Sequence, residues 1–268
     1  DVMASAIFMS KPTTKRLCRA IGVPVLEQEV FDRPPFGQSL DFEAEMKERK
    51  ISYPACVKPC NLGSSVGVVK VHDEKDLHAA LLKVFKMDTA ALVEPYIENL
   101  VEYNIAVCNA FGETRLSAIE RPFSEQNQNL LSFEDKYLSS GGIETKLTGG
   151  VDEVGMETAS REIDPEEINK KQRQAIIDAA HELCRVLRIE GAPRIDFLCD
   201  SKSGKIWLNE VNTIPGSFGY YLWEAAEPKV SFTQLISALI EEGLERHKQR
   251  RRFVDLSVAG SAIFPQRD

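Results

Sequence analysis

The sequence predicts an α+β protein made of two subdomains in which helices and strands are mixed. Three observations support this prediction. Short strand patterns occur in pairs joined by turns, amphipathic helix patterns separate those pairs, and 43% of the 268 residues are hydrophobic, which is enough for one large core or two smaller ones. We place the boundary so that the subdomains comprise residues 1–97 and 98–268.

The first subdomain begins with a short predicted helix in the segment "SKPTTKRLCRAIGVPV" (10–25). Leu17 and Ile21 would face inward on this helix. Gly22 ends it, and Pro24 prevents its resumption.

A β-hairpin is predicted next. The segments "SYPACVKP" (52–59) and "VGVVKV" (66–71) have the composition of strands, and a loop of small residues, "CNLGSSVG" (60–67), joins them. Two strands connected by a short flexible loop form a hairpin.

An amphipathic helix and a third strand complete the first subdomain. Asp73 is the expected N-cap of the helix, and its apolar face consists of Leu77, Leu81, Val84 and Phe85. The run "AALVEPYI" (90–97) predicts a strand that ends at a proline.

The second subdomain begins with two paired strands, "VEYNIAVCNA" (101–110) and "ETRLSAIE" (113–120), around the turn Phe111-Gly112. A stretch rich in Gly, Ser and Thr follows at residues 138–161. A loop of that length inside a compact domain is usually a lid or disordered.

The strongest helix pattern comes after this stretch. Asp164 is the expected N-cap, Pro165 the first helical residue, and Glu167 completes a capping box. Its predicted apolar face consists of Ile168, Ala175, Ile176, Ala179, Leu183 and Leu187. A last helix is expected after Ser231 and Gln234, with Leu235, Leu239 and Leu244 facing inward.

Polar residues lie on one face of a predicted hairpin between these two helices. The segments "APRIDFLCD" (192–200) and "KIWLNEVNT" (205–213) are strands joined by the turn "SKSG". Because side chains alternate with period 2, Arg194 shares a face with Asp196, and Glu210 shares a face with Asn212.

Those oxygen-bearing side chains suit a metal ion. Carboxylate and amide oxygens are hard ligands that bind Mg²⁺, and Glu210 could bridge two ions. The alternative is an exposed polar face on which Arg194 pairs with Asp196. The "IPG" that follows favours a functional site, since a glycine such as Gly216 lets a backbone N–H approach a reacting oxygen.

The segment "VKPCNLGSSVG" (57–67) is a second candidate site. A lysine on a strand, followed by a loop of small residues, can form a phosphate cradle through Lys58 and the loop N–H groups. Taken by itself, the same pattern also fits an ordinary turn at the tip of a hairpin.

Composition excludes several function classes. The net charge of −8 argues against nonspecific nucleic-acid binding. No apolar stretch approaches the roughly 20 residues of a membrane helix, and we see no signal peptide. The six cysteines and four histidines are scattered, which predicts a reducing cytoplasm without disulfides or a zinc site.

Taken in order, the motifs resemble the ATP-grasp superfamily and, within it, the D-alanine–D-alanine ligases. The similarity spans nearly the whole chain. It is carried by "MSK" (9–11), "YPACVKPCNLGSSVGVVKV" (53–71), "LVEPYI" (92–97), "FEDKY" (133–137), "PRIDF" (193–197) and "NEVNTIPG" (209–216). The resemblance implies an ATP-grasp fold, in which the nucleotide is held between the two α+β subdomains.

The resemblance also implies which residues bind ATP. Lys11 and Lys58 would hold the α- and β-phosphates, Glu102 the ribose hydroxyls, and Lys136 the γ-phosphate. The flap over the triphosphate would be Ser64, Ser65, Val66 and Gly67, and the linker that bonds adenine would be Glu94, Pro95, Tyr96 and Ile97. Asn209 would also bind the nucleotide.

Further roles concern the metal and the amino-acid substrates. Asp196, Glu210 and Asn212 would hold two Mg²⁺ ions, with Mn²⁺ as a substitute. Arg194 and the Gly216 N–H would stabilise the oxyanion of the tetrahedral intermediate. Ser64 and Tyr137 would also be catalytic residues. Tyr221 and Leu222 would contact the second substrate.

The implied function is a Mg²⁺- and ATP-dependent carboxylate–amine ligase that acts through an acylphosphate. It would join amino acids such as D-alanine for peptidoglycan, and a homodimer is one of the assemblies left open. Three departures keep alternatives open. The family's N-terminal domain is absent, Tyr221 in "SFGYYL" replaces a serine, and the 138–161 stretch is long. The alternatives are an ATP-grasp ligase with another acceptor, or a nucleotide-binding module without ligase activity.

Overall fold

The computed structural model describes residues 2–63, 66–123 and 161–258. Within this part of the chain, helices pack on two antiparallel sheets, which confirms the predicted α+β class. The predicted site residues Ser64, Ser65, Lys136 and Tyr137, and residues 138–160 of the predicted lid, lie outside the described residues.

The first sheet has the strand order β1-β4-β2-β3. Its strands are β1 (Glu29–Asp32), β2 (Ala55–Pro59), β3 (Val69–Val71) and β4 (Ala90–Pro95). The predicted hairpin is present as the antiparallel pair β2–β3, although β3 is shorter than expected. Helix α3 (Phe42–Lys47) precedes β2 in the chain.

Helix α4 (Glu74–Val84) packs on this sheet as the sequence predicts. The Asp73 side chain accepts a hydrogen bond from the Asp76 N–H at 2.8 Å and so caps the helix. The four residues of the predicted apolar face are all buried. They form one core with strand residues such as Val57 and Val93.

The second sheet has the order β7-β6-β5-β8-β9. Its strands are β5 (Leu100–Cys108), β6 (Arg115–Pro122), β7 (Arg161–Ile163), β8 (Arg194–Asp200) and β9 (Ile206–Asn212). Both predicted hairpins, β5–β6 and β8–β9, are antiparallel pairs in this sheet.

Helices cover both faces of the second sheet. On one face, α1 (Val2–Phe8), α2 (Lys11–Ala20) and α5 (Lys170–Leu187) share a core with β5, β8 and β9. On the other face lies a smaller core with α6 (Tyr220–Glu224) and the long α7 (Phe232–Val258). Helix α2 therefore lies against the second sheet, although the chain has not yet entered the first sheet at that point.

The start of α5 differs from the prediction. Asn169 is its N-cap, and Gln172 completes the capping box. Asp164 instead has a φ of 50°, and its carboxylate accepts a hydrogen bond from Arg173 at 2.8 Å. The helix begins only at Lys170, after the cap at Asn169, so the predicted cap at Asp164 is wrong.

Two other helix predictions are wrong in detail. Ala175 is exposed on α5, and Leu244 is 57% exposed on α7. The capping box of Ser231 and Gln234 is confirmed by reciprocal hydrogen bonds, and Leu235 is fully buried. Among the described residues, no helix is both long enough and apolar enough to cross a membrane.

Candidate functional site

The β8–β9 hairpin brings four predicted site residues onto one face. Arg194 lies opposite Asn212, and Asp196 lies opposite Glu210. The Arg194 guanidinium makes two bonds to the Asp196 carboxylate, at 2.7 and 2.8 Å, and Asn212 donates to the same carboxylate at 2.7 Å. The predicted polar face and the predicted Arg194–Asp196 pair are both present.

A β-bulge adds a fifth polar residue to this face. The pairing passes from Phe197 with Leu208 directly to Asp196 with Glu210, so Asn209 is an extra residue in β9. A bulge bends the strand and changes the direction in which its side chains point. Two consecutive side chains, Asn209 and Glu210, consequently reach the lysines of neighbouring elements.

Those lysines are the two that the sequence predicts to hold phosphates. The Lys58 ammonium on β2 donates a hydrogen bond to Asn209 Oδ1 at 3.0 Å. The Lys11 ammonium lies 3.5 Å from Glu210 Oε2 and also donates to the Leu62 carbonyl. The two sheets therefore meet at a cationic pair that faces the polar end of β9.

A buried ion cluster lies behind Lys58. The Glu94 carboxylate on β4 pairs with Lys58 at 2.5 Å and, through its other oxygen, with Lys15 of α2. The pKa of Glu94 is lowered despite its burial, because the two lysines stabilise the carboxylate. The pKa of Lys58 is raised against the effect of burial by Glu94.

The carboxylates of the polar face repel one another. Burial raises the pKa of Asp196 to about 6, opposed by Arg194 and assisted by Glu210 and Glu102. Burial also raises the pKa of Glu102, and Glu210 adds to that shift. Such mutually destabilised oxygen ligands fit a divalent cation, which relieves their repulsion. Asp196, Glu210 and Asn212 therefore have the donor chemistry for Mg²⁺.

The loop after β2 is fixed at both ends. The buried Asp88 carboxylate accepts bonds from the Asn61 backbone N–H at 2.7 Å and from the Asn61 side chain at 2.8 Å. At the other end, Gly67 has a φ of +72°, and a Cβ there would lie 2.8 Å from Met87 Cε and 2.9 Å from Pro59 Cγ. The Val66 N–H donates a hydrogen bond to the Gly63 carbonyl at 3.2 Å.

The predicted adenine linker comprises the last two residues of β4, Glu94 and Pro95, and the two residues after it. The Tyr96 N–H donates to the Pro54 carbonyl at 3.0 Å, and the Lys70 ammonium lies 3.9 Å above the Tyr96 ring. Pro95 is exposed and Ile97 half-buried. Glu102 follows on β5, in the strand next to β8.

The backbone after β9 adopts an unusual conformation. Gly216 starts a short 3₁₀ turn in which Ser217 and Phe218 have φ values of 48° and 55°. Left-handed non-glycine residues cost about 1–3 kcal/mol each and are frequent at functional sites. Gly216 is exposed, so its position is open to a ligand.

Tyr221 and Leu222 on α6 have different surroundings. The Tyr221 hydroxyl donates to Glu120 Oε1 at 3.0 Å, and the Arg161 guanidinium lies 4.1 Å above its ring. Burial, followed by Glu120, raises the pKa of Tyr221 to about 12. Leu222 is fully buried in the α6–α7 core.

The site residues predicted from the sequence do not include two residues of this region, Lys15 and Glu120. Lys15 is fully buried against Glu94; its spacing of four from Lys11 on one helix places both on the same side, which could have indicated it. Glu120 is 2% exposed and accepts bonds from Asn104 and Tyr221. It ends an otherwise ordinary strand pattern, which gives no such signal.

Comparisons with known proteins give a consistent result. Residues 17–241 match the family described as D-ala D-ala ligase C-terminus. D-alanine–D-alanine ligase A of Bradyrhizobium diazoefficiens is 32% identical over 256 residues, which is 93% of this chain and 62% of that protein. The chain thus spans about three fifths of the length of the curated relatives it matches.

Solved structures agree with this match. VanG D-Ala:D-Ser ligase from Enterococcus faecalis aligns with a TM-score of 0.67 and 27% identity, covering 90% of this chain and 63% of that one. The D-alanine–D-alanine ligase from Coxiella burnetii aligns with a TM-score of 0.65 at 24% identity, over 97% of this chain and 64% of that one, and shows the fold alone. The chain belongs to the D-alanine–D-alanine ligase family and has its ATP-grasp fold.

Proposed function

We propose that this chain is the nucleotide-binding and catalytic part of an ATP-dependent carboxylate–amine ligase that joins two D-alanines for peptidoglycan precursors. The observation that carries the proposal is the meeting of Lys11 and Lys58 with Asn209 and Glu210 between the two sheets. Two ammonium groups beside oxygen ligands are what a metal-bound triphosphate requires.

The chemistry follows from the poor reactivity of a carboxylate. Oxide is not a usable leaving group, so the γ-phosphoryl group of ATP is first transferred to the carboxylate oxygen and gives an acylphosphate. Lys11 and Lys58 neutralise phosphate charge during this transfer. Asp196, Glu210 and Asn212 would hold Mg²⁺, which when bound supplies further charge neutralisation.

The second step is attack of an amine on the acyl carbon. The carbonyl oxygen becomes an oxyanion, the amine loses a proton, and phosphate leaves. Arg194 and the exposed Gly216 N–H are the groups that would stabilise this oxyanion. Removing one such donor typically lowers the rate by ~10²–10³.

An ADP-release assay tests the proposal. The chain, and the same chain within its full-length protein, is supplied with ATP, Mg²⁺ and D- or L-amino acids singly and in pairs. Release of ADP and phosphate only when an acid and an amine are both present is expected. ATP-dependent thermal stabilisation without turnover in both proteins would instead indicate a nucleotide-binding module.

A second candidate is a ligase of the same chemistry with a different acceptor. The Tyr221 hydroxyl donates its only proton to Glu120, so it cannot donate that proton to a substrate carboxylate as a serine hydroxyl could. The similar structure from Enterococcus faecalis is that of a D-Ala:D-Ser ligase. A preference for D-serine or another amine over D-alanine in the same assay would favour this candidate.

A further inference from the structure

The Lys15–Glu94–Lys58 cluster contains one lysine to which the proposed reaction assigns no role. Lys15 is fully buried, and Glu94 is 2% exposed. Each oxygen of the Glu94 carboxylate pairs with a different ammonium, Oε1 with Lys15 and Oε2 with Lys58. Lys58 alone continues outward, to Asn209 on the polar face.

The charges of the cluster determine what Lys58 can bind. Two ammonium groups and one carboxylate leave one net positive charge. If Lys15 were absent, Glu94 and Lys58 would neutralise each other at 2.5 Å, and the cluster would present no net charge to an anion. Because these groups are removed from water, nearby charges are screened less than at the surface.

A purely structural role for Lys15 is the simpler alternative. Burying an ammonium is unfavourable, and an apolar side chain of similar volume often stabilises a protein as well as a buried ion pair does. Lys15 lies on α2, and its buried side chain reaches Glu94 on β4. The presence of a charged group at this position therefore calls for a reason other than packing.

We propose that Lys15 is a positioning residue whose buried ammonium neutralises Glu94, so that the Lys58 ammonium keeps its charge for the polyphosphate of a bound nucleotide. This inference rests on the proposed function, since the ligand it concerns is ATP. It adds a residue that never touches the nucleotide and acts through Glu94. The consequence concerns phosphate binding and leaves recognition of the base unchanged.

The test is a charge series at the cluster, with Lys15→Met, Glu94→Gln and the double variant. Affinities for ATP and for adenosine are measured by calorimetry in the same buffer, and their ratio is compared, because any effect on base binding cancels in the ratio. The ratio is expected to fall about tenfold in Lys15→Met, to rise in Glu94→Gln, and to return to the wild-type value in the double variant. Lys83→Met, which removes an exposed lysine from the last turn of α4, is the control for lost charge and should leave the ratio unchanged.

The results of this charge series distinguish the proposed role of Lys15 from a purely structural one. A structural role predicts that Lys15→Met lowers stability and weakens ATP and adenosine equally, and that result would overturn the inference while leaving the proposed function standing. If Lys15→Met does not fold, Glu94→Gln and the double variant still test the inference. Equal ratios of ATP affinity to adenosine affinity in those two variants would overturn it. A wild-type chain that binds no ATP would overturn both the inference and the proposed function.

Discussion

The Lys58 ammonium on β2 donates a hydrogen bond to the Asn209 side-chain oxygen on β9 at 3.0 Å. The bond joins the two sheets at the point where β9 carries its bulge. Lys58 is 7% exposed, so the contact forms largely away from water. A nucleotide that binds Lys58 would therefore act on the contact between the subdomains.

This bond should contribute to stability. In a double-mutant cycle of Lys58→Met and Asn209→Ala, we expect a coupling of about 1–3 kcal/mol in the free energy of unfolding, because a partly buried bond to a charged group is stronger than an exposed one. Urea unfolding measures it. A matched double-mutant cycle at the exposed pair of Lys70 and Glu98, which are 3.3 Å apart, should give a coupling of less than about 1 kcal/mol. Equal couplings in the two cycles would contradict the prediction.

Glu210→Gln should abolish turnover and leave the fold intact. The substitution keeps the size of the side chain but removes the charge of the central candidate metal ligand, while the surrounding β8–β9 pairing remains. ADP release measures the first effect and urea unfolding the second. Glu27→Gln, at a glutamate whose side chain is 86% exposed, should behave as wild type. Full activity in Glu210→Gln would remove the metal assignment.

The polar face could be predicted because it depends on local rules. Strand alternation and the "SKSG" turn are enough to place Asp196 opposite Glu210. Asn209 could not be placed, since a bulge depends on how two strands pair and leaves no mark in the alternation. The Asp164 cap failed for a related reason: the Asp164 N–H bonds to the Ile119 carbonyl, a tertiary contact that outweighs the local capping preference. The burial of Lys15 likewise depends on a partner 79 positions away.

The stability of the protein should depend on pH through Asp196. Its pKa is raised from 3.8 to about 6 in the folded chain, so the folded state binds this proton more tightly than the unfolded state. The contribution of Asp196 is therefore largest below about pH 4, is lost as the pH rises to 6, and amounts to about 3 kcal/mol.

The measurement is urea unfolding of wild type and Asp196→Asn between pH 4 and 7.5, without divalent cations. The difference between the two proteins isolates Asp196, since Glu102, Glu94 and the other carboxylates titrate in both. We expect the wild type to lose stability relative to the variant as the pH rises through this range. A difference that does not change with pH would refute the assignment.

Tyr221→Ser should shift acceptor preference toward D-alanine. The substitution removes the ring that lies under Arg161 and the hydroxyl bound to Glu120, and it leaves a hydroxyl free to donate to a substrate carboxylate. Relative kcat/KM values for a panel of D-amino acids measure the shift. Tyr221→Phe is the control that keeps the ring, and it should retain the wild-type preference order. An identical order in all three proteins would mean that Tyr221 does not line the acceptor pocket.

Gly67→Ala should be more damaging than the same change at Gly22. Both glycines have left-handed φ values, +72° and +80°, so alanine costs about 1–2 kcal/mol of backbone strain at each position. Only at Gly67 would the new Cβ collide, at 2.8 Å with Met87 and at 2.9 Å with the Pro59 ring. The Met87 methyl group can move aside, whereas the proline ring cannot, so we expect a further loss of about 1–3 kcal/mol.

Urea unfolding and ATP titration of the two variants measure these effects. Gly67→Ala should also weaken ATP binding, because the collision displaces the end of the loop that follows Lys58, while Gly22→Ala should bind ATP as wild type does. If the two variants lose equal stability, the loop yields to the new side chain without cost. Its seating on Pro59 and Met87 would then have no part in holding the nucleotide.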